Sequence, residues 1–197
     1  MGNKLYVVEG DNGVGKTSLI TRVREDVDIR FMKTPPEAYD PLRRYVHERA
    51  DNHAKFLFYL SSVFDASASI EGMLRDGSVL CDRYIGSTFV DFMISQGLGF
   101  EDIKPVYEFF SNQIRIPDVT FLVRCSHEER IRRIAGDNRP IGLPQTDDIS
   151  LEHSHKKDSC YDALVQFDPN RWHVIDNTSL SVDEVAKEVI GVMESDS

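Results

Sequence analysis

The sequence predicts a doubly wound α/β domain: about five parallel strands in one sheet, helices on both faces and a lid segment. Three observations carry this. Short β-rich runs recur along the chain and are nearly continuous in apolar character. Strands covered on both faces read this way, whereas half-exposed strands alternate. Helical stretches separate the runs, and a strand–helix–strand rhythm gives a parallel sheet. A glycine-rich loop, "EGDNGVGKTSL" at residues 9–19, joins the first run to the first helix.

In order, Leu5–Glu9 is the first strand and a helix opens at Lys16, running to Val23. Ile29–Met32 is the second strand. Asp51–Arg75 reads as a long helix that Asp76-Gly77 stops before the third strand, Ser78–Cys81. Helices at Gly86–Gln96 and Glu101–Arg115 follow, and Pro117-Asp118 introduces the fourth strand, Val119–Val123. Ser126 is placed as an N-cap, with Glu129 completing a capping box. Ser150–Phe167 is helical, Trp172–Ile175 is the fifth strand, and Ser181–Met193 closes the chain with Ser181 and Glu184 repeating the capping signature. No repeat or linker interrupts residues 1–197, so one domain is expected, with ligands at the carboxyl ends of the strands.

The totals narrow the function. Lys and Arg number 23 against 33 Asp and Glu, a formal charge of −10. Duplex nucleic-acid binders are more often basic, so no nucleic-acid partner is expected; a local basic cluster still suits a small anion. Three scattered cysteines, Cys81, Cys125 and Cys160, fit a reducing compartment. No apolar run approaches the ~18 residues of a membrane span. The start runs straight into a strand and is too short for a signal peptide. The expected location is the cytoplasm, away from membranes.

Gly10, Gly13, Gly15, Lys16 and Thr17 match G-x-x-x-x-G-K-[ST] in the context that gives the pattern meaning, after a strand and opening a helix. This is the loop of P-loop NTPases. Its glycines let backbone N–H groups approach phosphates, so Gly10, Asp11, Asn12, Gly13, Val14, Gly15, Lys16, Thr17 and Ser18 are the expected ATP site. Lys16 supplies charge to the oxygens where it shifts during transfer, and Thr17 ligates Mg²⁺. The N-K-x-D and D-x-x-G signatures of GTPase switches are absent. "VLCDRYIGST" puts Asp82 and Arg83 at the tip of the third strand. Asp82 suits a water-bound metal or a proton, and Arg83 suits phosphoryl oxygens. "ERIRRIAGDNRP" is basic within an acidic chain and runs into an irregular stretch, so a lid is expected at about 134–149. Arg133 and Arg139 are its catalytic cations.

With these residues in place, the chain resembles the thymidylate kinase family of P-loop nucleotide kinases and is similar to the deoxynucleoside kinases. The resemblance runs from Leu5 to about Met193 through "EGDNGVGKT", "VLCDRYIGS", "PDVTFLV", "GDNRP" and "DPNRWHVIDNTSLSVDEVAKEV". It implies ATP with Mg²⁺ as donor, a mobile lid, often a homodimer, and Asn177 and Thr178 in a loop against adenine. The departures lie on the acceptor side. Thymidylate kinases usually carry Asp or Glu, facing the sugar 3′-hydroxyl, where this chain has Asn12. An Arg-Glu-Pro type sequence becomes Lys33-Thr34-Pro35-Pro36-Glu37. The long helix lacks the family's phosphate-binding arginine, reading "YLSSVFDAS" with none between Arg49 and Arg75. A glutamine that commonly reads thymine gives way to Asp91 and Phe92.

Asp65 falls near the missing arginine, where a carboxylate repels phosphate and favours hydroxyls or an amine. Lys33, Arg43 and Arg44 could rebuild a phosphate pocket. Phe64 is among the aromatic residues of the long helix that could line the acceptor base. Glu37 and Asp82 are the candidate general bases, Glu37 from the likeness to deoxynucleoside kinases. The expected activity is transfer of the ATP γ-phosphoryl group to a nucleoside monophosphate or nucleoside, dTMP being the family default. A kinase repurposed to another hydroxyl-bearing metabolite, and a nucleotide-binding regulator with little transfer activity, stand as alternatives.

Overall fold

The computed structural model describes residues 2–136 and 150–195. Its centre is β1 (Leu5–Glu9), every residue of which is buried. Leu5 and Val7 point into one core, Tyr6 and Val8 into a second on the opposite face. Period-two side-chain direction explains why the run carries no polar alternation: both directions lead into protein.

The remaining strands are β2 (Arg30–Lys33), β3 (Val79–Asp82), β4 (Val119–Arg124) and β5 (Trp172–Asp176). All pair in parallel, in the order β2-β3-β1-β4-β5. The chain therefore leaves β1 toward one edge, returns through β3, and crosses to the other edge at β4. The carboxyl ends of β1 and β3 lie side by side at this reversal, the usual ligand position in such sheets. Pro117-Asp118 fixes the start of β4 as expected: Asp118 accepts from Leu5 N and donates its own N–H to Leu5 O, each at 2.8 Å.

On one face α1 (Lys16–Asp26) packs against α8 (Val182–Ser195). On the other lie α3 (Asn52–Met73), α4 (Ile85–Gln96), α5 (Phe100–Ser111) and α7 (Leu151–Phe167). Asp51 caps α3 through the amides of His53 and Ala54. Ser181 and Glu184 complete the expected capping box of α8. The other box does not close. Ser126 does accept from Glu129 N at the head of α6 (His127–Gly136). The Glu129 carboxylate, however, turns to Arg132 and Arg133, and Ser126 N donates to Thr178 instead. Two charged partners outcompete one amide for a carboxylate.

One helix was not anticipated. A 3₁₀ turn at Glu37–Tyr39 leads into α2 (Asp40–Arg49), which buries only Val46. A helix with so little apolar surface leaves no stripe in the sequence. The expected lid segment begins inside α6, and residues 137–149, including Arg139, lie outside the described residues. At the two sheet edges, β2 exposes Arg30 and Lys33, and β5 exposes Val174 and Asp176. Among the described residues no helix is long and apolar enough to cross a membrane.

Phe89 is fully buried between Phe56 of α3 and Tyr107 of α5. Phe89→Ala is expected to cost about 3–5 kcal/mol, read as a lower midpoint in urea denaturation.

Candidate active site

The loop after β1 is built from backbone. Gly10 has φ +136°, and a side chain there would bring a Cβ within 2.3 Å of the Val123 carbonyl oxygen. Glycine is obligatory where the chain passes this close to β4. Gly15, also at positive φ, is the N-cap of α1 and delivers Lys16 as its first residue. The loop's amides thus converge with a helix N-terminus, the arrangement that binds phosphate. Lys16 Nζ donates to the Asp11 carbonyl at 2.6 Å and is buried. Burial, then the nearby Arg83, pushes its pKa down to about 7 against the pull of Asp82 and Asp11.

The tip of β3 supplies the facing wall. Arg83 adopts φ +63°, a left-handed conformation rare outside glycine. Its carbonyl accepts from the Thr34 hydroxyl, and its N–H donates to Val8 O. Glu9 anchors the following turn: one carboxylate oxygen accepts from the amides of Tyr84 and Ser87 at the head of α4. The other accepts from the Tyr161 hydroxyl. Gly86 makes room for this, since a Cβ there would sit 3.0 Å from Glu9 Oε1. Burial raises the Glu9 pKa, opposed by Arg83 and the two amides. So fixed, Arg83 extends Nη2 to the Asn12 side-chain oxygen at 2.6 Å.

Asp82 and Thr17 are the expected metal residues, and the site suits a hard divalent cation. Asp82 Oδ1 is buried without a hydrogen-bond partner among the described residues, and the charge of Asp82 acts on Lys16. Thr17 stands exposed in the first turn of α1. A carboxylate oxygen and a hydroxyl are the ligand types that Mg²⁺ takes.

Two cations missed by sequence reasoning hold the loop from beneath. Arg130 of α6 bonds Asp11 Oδ2 at 2.9 Å, the Asn12 carbonyl at 2.8 Å and Ser154 at 2.7 Å. Lys157 of α7 lies 3.0 Å from Asp11 Oδ1 and 3.0 Å from Asp91 Oδ1. Burial would raise the Asp11 pKa, but Lys157 and Arg130 lower it on balance; Asp91 and Asp11 likewise raise that of Lys157 against burial. Lys157 comes from "HSHKKD", a stretch whose polarity hides its partners. The available signal was spacing: Ser154, Lys157, Tyr161 and Leu164 share one buried face.

Arg133 and Asn177 sit at the loop and tie it to its surroundings. The Arg133 guanidinium donates to Val14 O, Asn177 Oδ1, Asn177 O and Glu129, each at 3.0 Å or less. Asn177 Nδ2 donates to Val14 O at 2.7 Å, and Thr178 is bonded to Ser126 N and Asp176. The lid cation expected of Arg133 is thus a buckle between the phosphate loop and the β5–α8 connection. Beside it opens a cavity of about 200 Å³ lined by Ser18, Leu19, Leu180 and Val182. Arg133 and Asn177 line it as well, so a planar ring entering it would meet a guanidinium and an amide beside the leucines.

The acceptor residues divide. Arg43, on α2, lies near the Tyr59 hydroxyl and pairs with Asp40 at 3.9 Å, while its Nε is buried without a hydrogen-bond partner among the described residues. Tyr59 also meets His47, and Phe56 stacks on Phe92 at 4.2 Å. Lys33, the last residue of β2, and Glu37, in the 3₁₀ turn that follows, are exposed, and Arg44 is exposed and paired with Glu48. Phe64 is turned to Phe110 of α5, into the core rather than toward an acceptor base. Asp65 is exposed; the α3 side chains that meet Arg43 and Phe92 are Tyr59 and Phe56, well over a turn earlier.

A family model described as thymidylate kinase matches residues 8–189. The chain belongs to the thymidylate kinase family. It is an ATP-dependent nucleotide kinase by that membership. It is 30% identical to a thymidylate kinase of Roseiflexus castenholzii, covering 94% of this chain and 90% of that one. With one of Staphylococcus haemolyticus it shares 28% identity over 94% of each. The solved thymidylate kinase of Candida albicans superposes with a TM-score of 0.74 at 18% identity, over 98% of this chain and 92% of that one. That of Ehrlichia chaffeensis gives 0.70 at 20% identity, over 98% and 100%. These likenesses cover 94% or more of the chain, so the acceptor-side departures fall inside the matched region.

A lysine near half-charged at neutral pH gains its proton when a polyanion arrives. Above pH 7, where phosphate is already ionised, each further unit of pH is expected to weaken ATP binding by up to about tenfold. Proton uptake should accompany it, measured by calorimetry in buffers of different ionisation enthalpy.

Proposed function

We propose that this kinase transfers the γ-phosphoryl group of Mg²⁺·ATP to a nucleoside monophosphate, with dTMP, the acceptor its relatives are named for, as the reference. The observation that carries the reading is the Arg83 guanidinium, fixed by its strained backbone and by Asn12 at the boundary between the phosphate loop and the head of α4. An acceptor phosphate needs a guanidinium fork beside the donor loop. Arg43, with its buried free Nε, offers a second from α2. In the sequence, the missing arginine of α3 and the Asp65 carboxylate stood against a phosphate; Asp65 lies exposed, and Arg83 and Arg43 are the guanidinium groups that support the reading.

Bound Mg²⁺, held by Thr17 and Asp82, would neutralise β- and γ-phosphate oxygens. Loop amides and Lys16 bind and orient the triphosphate from the side of α1. Arg83 holds the acceptor phosphate so that one of its oxygens faces the γ-phosphorus in line with the β–γ bridging oxygen. The P–O bond to the acceptor forms as the bridging bond breaks, and ADP leaves. A phosphate oxygen arrives ionised, so no proton must be removed. Exposed Glu37 then needs no role as a base.

Each nucleoside is to be assayed beside its monophosphate by ADP release. Turnover of monophosphates with silent nucleosides is the expected result, and the reverse pattern would reject the reading. Lys16→Ala should lower turnover about a hundredfold or more while the far-ultraviolet circular dichroism stays that of the unchanged protein.

A further inference from the structure

α7 packs against α4 and braces it from two residues, one turn apart on its buried face. Tyr161 donates to Glu9 Oε2 at 3.3 Å, and Glu9 Oε1 holds the amides of Tyr84 and Ser87 at the head of α4. Lys157, four residues before Tyr161, lies 3.0 Å from Asp91 Oδ1. Asp91 stands six residues past Ile85, the first of α4, so about 9 Å of helix axis separates the two attachments. A helix held only at its head can pivot about that point. A second hold at this distance removes the swing.

The same ammonium lies 3.0 Å from Asp11 Oδ1 of the phosphate loop. One buried cation thus joins the loop that takes the donor to the helix whose head follows Arg83. Asn12, next to Asp11 in the loop, meets Arg83 directly at 2.6 Å. Donor loop and acceptor wall are therefore joined twice, once at the guanidinium and once farther along α4. We propose that Lys157 is a positioning residue of the transfer, which through Asp11 and Asp91 sets the acceptor wall against the donor loop. In-line transfer asks the acceptor oxygen to stand about 3–3.5 Å from phosphorus, and a displacement of about 1 Å arising far from the reacting atoms costs about a hundredfold in rate. In this role Lys157 need touch neither substrate. It acts on Arg83 by holding α4, and the inference rests on the reading that Arg83 receives the acceptor phosphate.

Asp91→Ala is the sharp test, because that side chain is 60% exposed and its loss frees α4 while Lys157 stays on Asp11. With ATP and dTMP both saturating, the single-turnover rate of transfer should fall about ten- to a hundredfold. The affinity for ATP, read by calorimetry, should stay that of the unchanged protein. Lys157→Met should slow transfer at least as far and weaken ATP binding too, since the clasp on Asp11 goes with it. The double variant should be no slower than Lys157→Met alone, because both changes cut one tie. A transfer rate that Asp91→Ala leaves unchanged overturns the inference. So does a loss confined to the KM for dTMP, or losses that multiply in the double variant. Should Lys157→Met not fold, Asp91→Ala decides by itself. If nucleosides turn over and their monophosphates do not, the monophosphate reading falls and takes this inference with it; dTMP turnover that Asp91→Ala leaves intact sinks this inference alone.

Discussion

A loop of bare amides, curved to fit phosphate, has few side chains of its own to hold that curve, so the site depends on what grips it. The central grip is the Asp11 carboxylate, clasped by Arg130 on one oxygen and Lys157 on the other. Buried ion pairs of this kind are costly to break one partner at a time, since the remaining charge is left uncompensated. Arg133 and Asn177 fasten the far side of the loop through the Val14 carbonyl. The loop is therefore preorganised by α6, α7 and the β5–α8 connection, and binding energy need not be spent on shaping it.

A second constraint lies beneath. Glu9, wholly buried at the end of β1, is tolerated because two amides at the head of α4 and the Tyr161 hydroxyl satisfy it. This ties together β1, α4 and α7, and with them the strained turn that carries Arg83. Backbone strain of a kcal/mol or more persists only where the surroundings over-determine it, and here Thr34 and Val8 supply that determination. The guanidinium is consequently aimed by covalent geometry and by the sheet rather than by its own flexible stem.

Much of this was legible in the sequence because it is written in local patterns. All five strands fall within a residue or so of the apolar runs; β1, β3 and β4 are covered on both faces, and the edge strands β2 and β5 are only partly so. The phosphate loop and Asp82-Arg83 were legible because their place at strand ends fixes what they can reach. Legibility failed where partners are distant. Nothing local marks Lys157 as the partner of carboxylates in two other elements, and Arg130 looked like one more charge on a basic helix. Arg133 and Asn177 were found at the phosphate loop, but their bonds to Val14 and to each other were not legible, because an arginine near phosphate and an arginine near three carbonyl-type oxygens look alike in one dimension. Phe64 was misplaced for a related reason: a helix without a sharp apolar stripe gives no rotational reference, and α3 is largely apolar around much of its circumference.

The two outermost strands have a bearing beyond catalysis. β2 is four residues long with a guanidinium and an ammonium at its ends, and β5 ends on a carboxylate. Unpaired backbone at a sheet margin is a template on which a neighbouring extended chain can add itself. A strand this short offers a stranger few rungs, and the charges must be stripped of water before those rungs can be used. The sheet thus stops at five by design of its borders, and a crowded solution of this protein has little means of growing it into a fibre.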